Sequence, residues 1–167
     1  MKGKGSAKYT ARLSVLLCLA LLMGYIEHLA AFDVGVPGVK AGFANIVVLF
    51  ALYRYDASVA FGVNLCRIGL SALLFGNAVS AFYGVCGGLL AFFAMWLLKK
   101  INLFGVIGVS ALGAVCHNMA QLGAAALLSG TVYVFSYAPV LLVAGTVFGV
   151  LTGLLCLFLL KKIPENL

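Results

Sequence analysis

The stretch GVSALGAVCHNMAQLGAAALL, residues 108–128, decides how this chain is read. It is apolar and long enough to cross a membrane, for which about 20 residues suffice. Yet it carries Ser110, His117, Asn118 and Gln121. Residues three or four apart share a helix face, so Ser110, Gly113, Ala114, His117 and Gln121 fall on one stripe. Its small residues invite close approach of a neighbouring helix, and its polar ones have no reason to face lipid. The predicted element is a membrane helix lining a site inside a bundle, with the other spans around it.

Composition agrees. Of 167 residues, 65% are hydrophobic and 9% charged, and the mean hydropathy is +1.19. A soluble domain carries about 25% charged residues. The length suits about six spans of roughly 20 residues and leaves no room for a soluble catalytic domain. The net charge of +7 does not point to nucleic acid, because the basic residues form small clusters at span ends rather than one continuous face. Cys18, Cys66, Cys86, Cys116 and Cys156 all lie in apolar stretches without a C-x-x-C pair, which fits reduced packing residues rather than disulfides or a metal site.

Outward from the central stretch, the predicted spans are residues 13–29, 43–53, 57–75, 80–98, 103–128 and 137–160. Span two is short, so it is either tilted or begins earlier, at Val39. The run after the basic tail of residues 1–12 is too long for a signal-peptide core and reads as an uncleaved first span. Residues 161–167 form a second tail. With both termini cytoplasmic, Lys2, Lys4, Lys8, Arg12, Arg54, Lys99, Lys100, Lys161 and Lys162 lie inside, only Lys40 lies outside, and Arg67 lies within the membrane. This bias fixes the orientation by the positive-inside rule. The predicted fold is an all-α integral membrane protein, a six-transmembrane-helix bundle forming a single domain.

At about 1.5 Å per residue, Arg67 is roughly 15 Å and His117 roughly 21 Å from the cytoplasmic edge. Gln121 lies one turn further out, Glu27 near the outer end of span one, and Asn45 near the outer start of span two, one turn from Lys40. Their common depth fits a cavity open to the outside. Arg67 is the sharpest signal, since a central intramembrane charge costs about 2.5–3.5 kcal/mol on insertion scales and normally faces a cavity or a partner. Asn64 and Ser71 share its face. Arg67 either faces a ligand or pairs internally with Glu27, and His117, Asn118 and Gln121 either hold a ligand or tie helices together. Asn45 and Lys40 complete the candidate substrate site, with Phe43 or Tyr83 to pack against ligand rings, and Arg67 and Lys40 favour an anionic or phosphate-bearing molecule. No catalytic residue, cofactor site or metal site is predicted. The sequence holds no G-x-x-x-x-G-K-[ST] run, so ATP-driven work would come from partners.

Several runs carry a family resemblance: GYIE (24–27), PGVKAGFANIVVLFALY (37–53), LCRIGLSALLFG (65–76), GVCGGLLAFFAMWLLKK (84–100), GVSALGAVCHNMAQL (108–122) and YAPVLLVAGTVFGVLTGLL (137–155). The chain resembles the membrane family called both Gx transporter and heptaprenyl diphosphate synthase component I. The specific runs are G-A-x-x-H-N-x-x-Q and K-x-G-x-A-N. The first loop, AAFDVGV, departs from the family's shorter, proline-bearing segment. The family is similar in turn to the substrate-binding S subunits of energy-coupling factor transporters. That similarity implies a multi-pass protein of the bacterial plasma membrane that binds a vitamin-like or isoprenoid-like small molecule from outside. It also implies docking on a transmembrane coupling subunit and two ATPases through an A-x-x-x-A pattern, matched by Ala7 and Ala11, and a gating loop at residues 30–41. The alternative is an accessory membrane component of polyprenyl diphosphate or quinone synthesis, or of a membrane redox system. Four acidic residues, none adjacent, argue against a catalyst of diphosphate chemistry, which clusters carboxylates around Mg²⁺.

Overall fold

The computed structural model describes residues 7–29, 43–75 and 78–163. Six helices follow in order: α1 (Ala7–Leu29), α2 (Phe43–Arg54), α3 (Ala57–Phe75), α4 (Ala78–Ile101), α5 (Val106–Ser129) and α6 (Ala138–Lys162), with a 3₁₀ turn (Val132–Tyr137) before α6. No strand occurs among the described residues. Five of the helical segments are long and apolar enough to cross a membrane, and α2 is the shorter exception. The chain is therefore a multi-pass helical membrane protein. α1 begins at Ala7, six residues before the expected start of span one. The suggested earlier start of span two at Val39 falls outside the described residues.

Local chemistry sets the helix ends. Asp56 Oδ1 accepts the Val59 N–H at 2.8 Å, which caps the start of α3 three residues on. Gly130 adopts φ 64°, the left-handed conformation that closes α5. Pro139 sits in the first turn of α6, where a missing N–H leaves no bond unmade. The ends of α2, α4 and α6 bring Arg54, Lys99, Lys100, Lys161 and Lys162 to one end of the bundle. Arg54 Nη2 donates to Ile163 O there, and Lys99 Nζ donates to Leu52 O. Lys99 also lies 4.9 Å from the Tyr53 ring centre and Lys100 5.5 Å from that of Trp96. Long stems thus run along the apolar surface while the charges stay at the rim.

α2 is central. Ala44 and every residue from Ile46 to Leu52 are buried. A helix buried on all sides is wrapped by its neighbours. Leu16 and Ala20 of α1, Val59, Ala60 and Val63 of α3, Ala91, Phe92 and Met95 of α4, Val109 of α5 and Cys156 of α6 complete that core. It ends at the basic rim, with Arg54 in its last turn. The outward surface is apolar, with Val147 52% and Leu73 83% exposed, as contact with lipid demands.

α5 and α6 approach closely through a glycine stripe. A methyl group on Gly149 would lie 2.6 Å from Ala111 Cα, and one on Gly153 2.8 Å from Ile107 Cα. With no hydrophobic driving force between helices in lipid, this contact and the bonds across it hold the pair. Ser110 Oγ and Thr152 Oγ1 share a hydrogen bond of 2.9 Å, and Asn118 Nδ2 donates to Leu141 O at 3.1 Å. The single stripe expected on α5 therefore divides. Ser110 and Ala114 meet α6, whereas Gly113, His117 and Gln121 meet α4. Both sides of α5 are packed, so a periodic pattern alone assigns no neighbour to either side.

Candidate functional site

Residues of α3 and α5 converge on Gly87 and Gly88 of α4. On α3, Asn64 is 1% exposed, and its Nδ2 donates to Gly88 O of α4 at 2.9 Å. Arg67, one turn on, donates from Nη2 to Asn64 Oδ1 at 2.8 Å. The three-residue spacing puts both on one helix face, so Asn64 ties α3 to α4 and fixes the guanidinium at once. A methyl group on Gly88 would lie 2.6 Å from Ile68 Cδ1 and 3.4 Å from Arg67 Nη2. Glycine here lets α3 come up to the α4 backbone.

The next residue back serves α5. A methyl group on Gly87 would lie 2.8 Å from His117 Cε1 and 2.9 Å from Gln121 Cγ. Both side chains are buried, and the four-residue spacing stacks them on one face. Adjacent residues Gly87 and Gly88 thus carry His117 and Gln121 on one side and Arg67 on the other. This is a polar layer, deep in membrane-crossing helices, that contains a cation, an imidazole and two amides.

The other expected site residues are placed differently. Asn118 is buried, and its side chain reaches Leu141 O of α6. Ser71 lies on the side of α1, its Oγ 3.7 Å from where a methyl group on Gly24 would stand. Asn45 is half-buried in the first turn of α2. Glu27 lies on the last turns of α1, but its side chain is outside the described residues, as are Lys40 and residues 30–41 as a whole. Phe43 packs against the core around α2, and Tyr83 is half-buried on α4. Ala7 and Ala11 are exposed on α1. Gly84, Gly87 and Gly88 mark a tightly packed face of α4 by their spacing, but not which side chains that face receives. The α6 stripe escaped the sequence reading, although the spacing Gly145-x-x-x-Gly149-x-x-x-Gly153 is a legible signal.

Fold and sequence together define a multi-pass helical membrane protein with a buried polar layer. The chain belongs to the heptaprenyl diphosphate synthase component I family, whose model matches residues 16–159. No curated protein and no solved structure matches it.

Proposed function

We propose that this protein is a substrate-binding subunit of a membrane transport system, taking up a small anionic molecule from the side opposite its basic end. The observation that carries this reading is Arg67, a cation inside a membrane-crossing helix, oriented by Asn64 and flanked through Gly87–Gly88 by His117 and Gln121. Ionisable groups at such depth mark substrate or ion pathways. An arginine fork suits carboxylate or phosphate.

The protein itself is non-catalytic: its four acidic residues are scattered, and it holds no nucleotide-binding loop. Energy would come from a transmembrane coupling subunit and ATPases, as for the S subunits of energy-coupling factor transporters, with Ala7 and Ala11, both exposed on α1, for docking. The setting is the bacterial plasma membrane.

One observation favours a second reading. The family's description speaks of a component of heptaprenyl diphosphate synthase. On that reading the chain is the membrane partner of a prenyl synthase, and the anion is an isoprenoid diphosphate.

Native mass spectrometry of the protein released gently from its own membranes tests both. A coupling subunit with two ATPases, together with a bound small mass that Arg67→Ala loses, is the expected result. Co-release of a prenyl synthase selects the second reading. Retention of the small mass by a folded Arg67→Ala variant rejects the site.

A further inference from the structure

Gln121 stands apart from the other buried amides of α3 and α5. It is 6% exposed, and its Oε1 meets no hydrogen-bond donor among the described residues. Its neighbours in type are satisfied: Asn64 holds Gly88 O, Asn118 holds Leu141 O, and Ser110 and Thr152 hold each other. A buried amide oxygen without a donor has lost its hydration and gained nothing for it, and native interiors seldom keep such a group. Nor is the side chain loosely placed. Gly87 brings the α4 backbone so close that an added methyl group would lie 2.9 Å from Gln121 Cγ. Methionine would fill the same volume with no polar atom to satisfy.

We infer that Gln121 reads a hydroxyl group on the ligand, so that the site takes a hydroxylated oxyanion rather than a bare one. The inference rests on the oxyanion reading of Arg67 given above. The juxtaposition is specific: Gln121 and Arg67 flank consecutive residues of α4, so an anionic group at Arg67 and a hydroxyl a few bonds away reach both. A hydroxyl both donates and accepts, so it completes the amide whichever way its oxygen and nitrogen are turned. A site built to bond a hydroxyl rejects an analogue lacking it strongly, because the buried partner is then left unpaired.

The test uses the full chain in lipid nanodiscs and two matched pairs of probes: methyl phosphate against glycerol 3-phosphate, and propionate against lactate. Dissociation constants are read by saturation-transfer NMR titration. In at least one pair the hydroxylated member binds at least about tenfold more tightly, and Gln121→Met brings that ratio close to one. The pair that responds distinguishes a phosphate ester from a carboxylic acid. Equal binding within both pairs, or a preference that survives Gln121→Met, overturns the inference and leaves the oxyanion reading intact. Binding of none of the four probes overturns the oxyanion reading, and this inference with it. A second measurement needs no ligand. Gln121→Met raises the melting midpoint of the ligand-free protein by about 2–4 °C, because an unsatisfied buried group is removed. A fall in the midpoint marks Gln121 as a structural tie and overturns the inference independently.

Discussion

His117 and Asn118 are neighbours in sequence and serve different helices. His117 packs against Gly87 of α4, while Asn118 donates to Leu141 O of α6. One residue turns an α-helix by about 100°, enough to carry a side chain from one packed face to the next. The pair separates two roles that the sequence placed together: His117 belongs to the polar layer, and Asn118 to the seam between α5 and α6.

Asn118→Leu therefore acts on stability. It removes one interhelical bond and leaves Leu141 O without its side-chain donor. Such bonds in membrane bundles contribute about 0.6 kcal/mol on average and about 1.7 kcal/mol at most. A loss in that range is expected in reversible unfolding from mixed micelles. A larger loss accompanied by release of a bound small molecule would return Asn118 to the ligand site.

Gly149 tests the same seam sterically. Gly149→Ala places a methyl group 2.6 Å from Ala111 Cα, a backbone atom that cannot rotate away. α5 and α6 must part, and overpacking of this kind costs about 1–3 kcal/mol. Gly62→Ala and Gly69→Ala on α3 are the controls, since no atom lies within 4 Å of either added methyl group. They are expected to be neutral or to stabilise by up to about 1 kcal/mol through helix propensity. Equal melting midpoints for all three variants would contradict the close contact.

The helices were largely legible in the sequence, because long apolar runs between charges admit one reading in a membrane. The Asn64–Arg67 face was legible too, since a three-residue spacing fixes it without knowledge of the partner. The role of α2 was not. Its residues are apolar on every side, so periodicity carries no direction, and only the fold reveals a helix packed against α1, α3, α4 and α6. The division of α5 escaped for a related reason: small and polar residues mark both of its packed faces. The bond from Asn64 to Gly88 and the fit of His117 against Gly87 depend on the register between helices, which no single helix encodes.

Gly87 offers a sharper test of the site than any polar residue. Gly87→Ala sets a methyl group 2.8 Å from His117 Cε1 and 2.9 Å from Gln121 Cγ, so both side chains must move. Gly84→Ala, one turn away on α4, meets only Ile68 Cγ2 at 3.9 Å, an ordinary contact. The expected outcome is loss of the co-purifying small molecule from Gly87→Ala and its retention by Gly84→Ala. Normal ligand content in Gly87→Ala would show that His117 and Gln121 lie outside the site.

The basic rim makes a prediction about sidedness. Lys100 and Lys162 lie at the end where α4 and α6 finish, while Tyr133, 84% exposed in the 3₁₀ turn, lies at the opposite end. Positive charge is retained on the cytoplasmic side of a membrane, so the rim faces inward and the turn outward. After the five native cysteines are replaced by serine or alanine, single cysteines are introduced as Lys100→Cys, Lys162→Cys and Tyr133→Cys. A membrane-impermeant maleimide applied to intact cells is expected to label the Tyr133→Cys variant alone, and the other two only after the membrane is opened. The reverse pattern would place the start of α2 and the Arg67 layer toward the cytoplasm, and uptake from outside would then be untenable. The measurement thus tests the direction of transport separately from the chemistry of the site.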